Sequence, residues 1–157
     1  MTLNYRGRDG LPIILVAVVD SVLEKEWPFE MFVDTGCHIT TFPALEAGRF
    51  GHNNLHPKVV IGRSCGLGGK TKCYKHTLSL ALLNDKTPFS SSDKMNIAWR
   101  SKCQTVDFVT KFQGKYGIIG RDVMREWRTL TFSQLDTDSP LIQITVLSRR
   151  FTLSDLG

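Results

Sequence analysis

No apolar run in this 157-residue chain approaches the ~20 residues a helix needs to cross a bilayer. The nearest, 11–19, contains Pro12 and ends at Asp20. It lacks the basic start, longer apolar core and small-residue cleavage site of a signal peptide, so it reads as a strand. A cytoplasmic protein with no membrane partner is expected. Cysteine is scarce: Cys37, Cys65, Cys73 and Cys103 include no CxxC pair, and His38, His52, His56 and His76 add no zinc-finger spacing. His52 and His56 stand four apart, but Gly51, Asn53, Asn54 and Pro57 around them are loop residues. Reduced thiols, no metal and no cofactor are therefore expected. The net charge is +5, yet Lys and Arg are scattered, with no basic run interleaved with aromatics. That favours a solvated surface over a nucleic-acid partner. With neither repeat nor linker, residues 1–157 read as a single domain able to bury a core without staples.

What is present is a series of short β-branched and apolar runs, at 12–19, 29–33, 58–61, 77–83, 105–109, 117–119 and 141–147. Gly, Pro, Asn and Asp separate them at strand-and-turn spacing, which predicts an all-β fold. In Thr77-Leu78-Ser79-Leu80 the leucines fall on one face and the hydroxyls on the other. Helix is expected only as a single turn at 44–47 and over 122–128, where Asp122 suits a helix start and Val123 and Trp127 share a face. The polar stretch 84–102 reads as a long surface loop anchored by Trp99.

Three stretches carry chemistry. An aspartate directly after Met31-Phe32-Val33 is a poor end for a buried strand, and Asp34-Thr35-Gly36 places it on a tight turn. Alone, that tripeptide is weak, because Asp-x-Gly is common turn chemistry. Gly66-Leu67-Gly68-Gly69 sets one apolar side chain among glycines between strand-like flanks, which favours a mobile β-hairpin. A phosphate-binding loop is disfavoured: Gly69-Lys70-Thr71 would need a glycine at 64, where a serine stands, and a helix to follow. Finally, Ile118-Ile119 lead into Gly120, Arg121 and Asp122 before the short helix.

In this order the three stretches resemble the retropepsin-like aspartic proteases, the retroviral proteases and their free-standing bacterial and cellular relatives. The resemblance runs from about Pro12 to Val146 and implies a closed β-barrel with a flap hairpin and one short C-terminal helix, active as a homodimer. It implies an aspartic endopeptidase acting on extended polypeptide, with Asp34 as the catalytic carboxylate. The chain holds one Asp-Thr-Gly, and the chemistry needs two carboxylates, so two copies must meet on a two-fold axis. Thr35 is expected to bond across that interface. Gly36, Cys37 and His38 would line the substrate strand, and the flap residues Gly66, Leu67, Gly68 and Gly69 would close over it. Ile118, Ile119 and Gly120 are expected to pack beneath the turn, with Arg121 and Asp122 supporting the dimer.

Two departures stand beside the resemblance. Retroviral members follow Asp-Thr-Gly with an alanine and an acid that receives the arginine, and here Cys37 and His38 occupy those places. Arg121 must therefore find another partner, which bears on dimer strength more than on catalysis. Cys37 raises sensitivity to oxidation against the commoner small buried thiol, and Cys65 suggests a stiffer flap. Alternatives are a non-catalytic retropepsin-like module for peptide binding or dimerisation and, more weakly, a basic barrel touching nucleic acid.

Overall fold

The computed structural model describes residues 1–20, 22–23, 25–66, 69–84, 95–133 and 140–147. The first strands are β1 (Thr2–Arg6), β2 (Ile13–Asp20), β3 (Lys25–Val33), β4 (Thr41–Pro43), β5 (Val60–Gly66) and β6 (Gly69–Leu83). There follow β7 (Ile97–Arg100), β8 (Gln104–Val109), β9 (Gly117–Ile119), β10 (Thr129–Ser133) and β11 (Leu141–Thr145), with one helical turn, α1 (Arg121–Met124), after β9.

β2 is buried at nearly every position, and its run of consecutive apolar residues is explained by cover on both faces. Ile14, Val16 and Val18 belong to the main core, while Ala17 and Val19 join Ala81 in a smaller cluster under Leu83, Met95 and Ile97. β2 pairs antiparallel with β3 along its length, Ile13 opposite Phe32 and Asp20 opposite Lys25. The order then runs through β9, β4 and β8 to β6. β6 returns to β2, with Val16 opposite Leu82 and Val18 opposite Leu80. The sheet is thereby a closed six-stranded barrel, which leaves few free edges. Inside it Phe29, Phe42, Phe50 and Phe108 form one aromatic cluster, Phe42 and Phe108 stacked with centroids 5.2 Å apart. A second sheet of order β1-β11-β10 adds Leu3, Ile142 and Ile144 to the same core.

Every expected run overlaps a strand, but four short strands escaped: β1, β4, β7 and β10. The surface loop expected over 84–102 is corrected at its far end, since 97–100 is β7, paired with β6, and Trp99 is buried. Its apolar residues supply the cover that the second face of β2 and β6 requires, a tertiary demand with no local pattern. Residues 85–94 of that stretch lie outside the described residues. The first expected turn is a single 3-10 turn, Ala44–Glu46. The second helix is shorter than 122–128, ending at Met124, although Trp127 is still buried by the turn that follows. Among the described residues no helix is long and apolar enough to cross a membrane.

Candidate active site

Asp34 follows Val33, the last residue of β3, which pairs in parallel with Ile119 of β9. Its N–H donates to Ile119 O at 3.2 Å, and its own carbonyl accepts from Cys37 N at 3.1 Å, closing the turn. The carboxylate is half-buried, and Oδ1 accepts the Gly36 N–H at 2.8 Å. Glycine suits position 36 because an added Cβ would stand 3.2 Å from that same oxygen. One carboxylate oxygen is thus oriented by the turn backbone. The Thr35 hydroxyl is exposed and makes no hydrogen bond among the described residues.

Beyond the turn the chain is fixed to the segment after β9. Arg121 N donates to Cys37 O at 2.9 Å and Asp122 N to His38 O at 3.2 Å. Gly120 crosses directly over residues 39–40: a Cβ there would lie 2.6 Å from the Ile39 carbonyl carbon and 2.8 Å from Thr40 N. Only glycine lets two backbones approach so closely. Asp122, expected as a helix-start acid, turns back to this crossing. Its Oδ2 accepts Thr40 N at 2.9 Å and its Oδ1 accepts the Thr40 hydroxyl at 2.7 Å. The same hydroxyl accepts Gly120 N at 3.1 Å. Thr40 is fully buried, and the sequence reading missed it: Thr40-Thr41 resembles the start of any strand. The one available signal was a threonine close behind the Asp34-Thr35-Gly36 turn.

The arginine that lacked an acid has a different partner. Arg121 Nη2 lies 2.8 Å from Nδ1 and 2.6 Å from Nε2 of His38, both side chains exposed. A neutral imidazole accepts one such hydrogen bond, through whichever nitrogen carries no proton. Cys37 donates through Sγ to Ile39 O at 3.1 Å. Burial pushes its thiol up, the bond to Ile39 draws it partly back, and the Asp34 charge raises it again. A thiol kept protonated is a weak nucleophile, which favours the small-packing role of Cys37 over redox reactivity.

The turn 34–38 and residues 118–122 therefore form one constellation. Ile119 and Gly120 are buried in it, and Ile118, on the opposite face of β9, is half-buried. The glycine hairpin is a separate element, in which Gly66 pairs with Gly69 and Gly69 takes φ +91°. Leu67 and Gly68 lie outside the described residues. Among the described residues no cluster of three or more His, Cys, Asp or Glu could hold a metal.

No protein-family model matches the chain, and no curated protein matches it. Among solved structures, the crystal structure of a retropepsin-like aspartic protease from Rickettsia conorii matches with TM-score 0.59 and 15% identity, covering 91% of each chain. The fold is retropepsin-like. At that identity the likeness is one of fold alone, and the chemistry has to be argued from the site. Within the retropepsin-like fold of this chain, the acid at the end of β3 and the Gly120 crossing are held together by side-chain and backbone bonds. The Arg121–His38 contact stands where the resemblance implies an arginine–carboxylate pair.

Proposed function

We propose that this chain is an aspartic endopeptidase whose active form is a homodimer. The observation that carries the reading is the Asp34 turn. A half-buried carboxylate has one oxygen fixed by Gly36 N–H, in a retropepsin-like barrel, on a turn anchored to residues 119–122. Two such turns facing each other bring two carboxylates to one water. At ~3 Å and an effective dielectric of ~20 their repulsion is roughly 5–6 kcal/mol, so the pair holds one proton between them. Such sharing is the known behaviour of aspartic protease dyads. The ionised member takes a proton from the water as it attacks the scissile carbonyl. The protonated member polarises that carbonyl and then helps to protonate the leaving nitrogen. The two titrate as a unit, so neither copy owns either role.

The Thr35 hydroxyl, exposed and without a hydrogen bond among the described residues, would bond across the two-fold axis. Gly36 to His38 would line the extended substrate, with the β5–β6 hairpin as the flap above it. The test is a peptide library incubated with the protein between about pH 4 and pH 7, the range that brackets a shared carboxylate proton. Cleavage by the native chain and its loss in Asp34→Asn are expected. No cleavage anywhere in that range, or full activity in Asp34→Asn, would overturn the reading. Peptide binding without cleavage would point to the non-catalytic module instead.

A further inference from the structure

Between Glu46 and Asp85 the chain has no acidic residue, yet it carries Arg49, Lys58, Arg63, Lys70, Lys72 and Lys75. Arg49 pairs with Glu46, and Lys75 Nζ lies 2.8 Å from Asp107 Oδ1. The other four have no ion pair among the described residues, and three of them, Arg63, Lys70 and Lys72, are exposed on the β5–β6 hairpin. Arg63 stands directly opposite Lys72 in the ladder. Like charges at facing positions oppose hairpin formation, so the hairpin keeps a repulsion that a single acid would relieve. Alternation along β6 puts Lys70, Lys72 and Tyr74 on the same face as Leu78, Leu80 and Leu82, which form the core. Tyr74 packs against that core, and Lys72 Nζ lies over its ring, 4.8 Å from the centroid. The cations therefore line the face of the hairpin that continues the barrel interior. The loop after β8 joins them: the N–H and hydroxyl of Thr110 both donate to Lys72 O, at 3.1 and 3.0 Å, and exposed Lys111 follows.

From this stripe we infer that the substrate is an acidic polypeptide, with Asp or Glu flanking the segment that lies beneath the hairpin. The inference rests on the hairpin being the flap of a peptide-cleaving site. A polypeptide is favoured over a nucleic acid because the cations are few and share one face of the hairpin, Lys72 over an aromatic ring. A duplex reader instead spreads many phosphate contacts over an outward surface.

The experiment compares three peptides that share one apolar scissile segment flanked by Glu, Gln or Lys. Native protein and the double variant Arg63→Glu/Lys72→Glu are assayed at about 0.05 M and about 0.5 M salt. Thermal melting of the variant checks its fold. The Glu-flanked peptide should have the highest kcat/KM, by about five- to tenfold over Gln, mostly through KM. That gap should shrink at high salt and reverse toward the Lys-flanked peptide in the variant. Equal turnover of Glu and Gln peptides overturns the inference and leaves the endopeptidase reading standing, as does a preference that survives charge reversal. If no peptide is cut, fluorescence anisotropy of the same peptides on Asp34→Asn decides. Glu-selective binding that the two reversals abolish upholds the acidic ligand while the endopeptidase reading falls, and unselective binding overturns the inference. Duplex DNA retained by the native chain, and lost on charge reversal with peptide behaviour unchanged, also overturns it.

Discussion

Thr40 joins two parts of the chain with one hydroxyl, donating to Asp122 and accepting from Gly120 N–H. Thr40→Val keeps the shape and removes both bonds, leaving the buried Gly120 amide unpaired and Asp122 Oδ1 with the Val123 N–H alone. The expected loss is about 2–3 kcal/mol in urea unfolding, with a fall in peptide cleavage because residues 37–40 carry the turn. Full stability with unchanged cleavage would show that Asp122 is held without Thr40. The carboxylate at the turn was legible at this level because Asp-Thr-Gly after an apolar strand conflicts with burial. Thr40 was not legible: its importance comes from a partner 82 positions away. The His38 contact to Arg121 was half legible. The sequence showed that an acid was absent, and only the folded chain showed that the imidazole takes its place.

The connection from β4 to β5 is secured to β6 by a pair of imidazoles, His76 buried and His52 half-buried. The His52 and His76 rings are 4.6 Å apart, His76 Nε2 bonds Asn54 Oδ1 at 2.7 Å, and His52 Nε2 lies 3.2 Å from Asp20 Oδ2. Burial, then the neighbouring His52, lowers His76 to about 4. Burial also lowers His52, against the Asp20 charge that raises it. The folded His76 value lies below the ordinary 6.5, so the unfolded chain takes up the proton first. Stability contributed by neutral His76 is therefore complete above about pH 6.5 and is lost as pH falls toward 4. Melting temperatures across that window should decline in the native chain and decline less in His76→Gln; parallel slopes would remove His76 as the cause. Long strands were legible because β2 and β6 bring apolar residues in number. β4 and β7 have three and four residues, too few for a period to register, and exist because the barrel supplies their partners. The Ser79 hydroxyl, on the face opposite the leucines as expected, is buried as they are.

In the proposed dimeric reading, one Asp34 per chain ties activity to association. Diluting the protein through its dimer dissociation range should lower specific activity in parallel with the dimer fraction seen by sedimentation. Activity independent of concentration while the protein sediments as a monomer would require a different second acid. The closed barrel was anticipated from the order of the three motifs, whereas β1 was invisible, a polar pentapeptide with one buried leucine. That strand pairs with β11, Thr2 opposite Thr145, and the amino group of Met1 donates to Val146 O at 3.0 Å. A pairing between residues so distant in sequence is entropically costly to start and slow to form. On the ribosome, β1 has no strand to pair with among the described residues until 141–145 have emerged. The three-stranded sheet, and the side of the core that Leu3, Ile142 and Ile144 fill, closes only after that point.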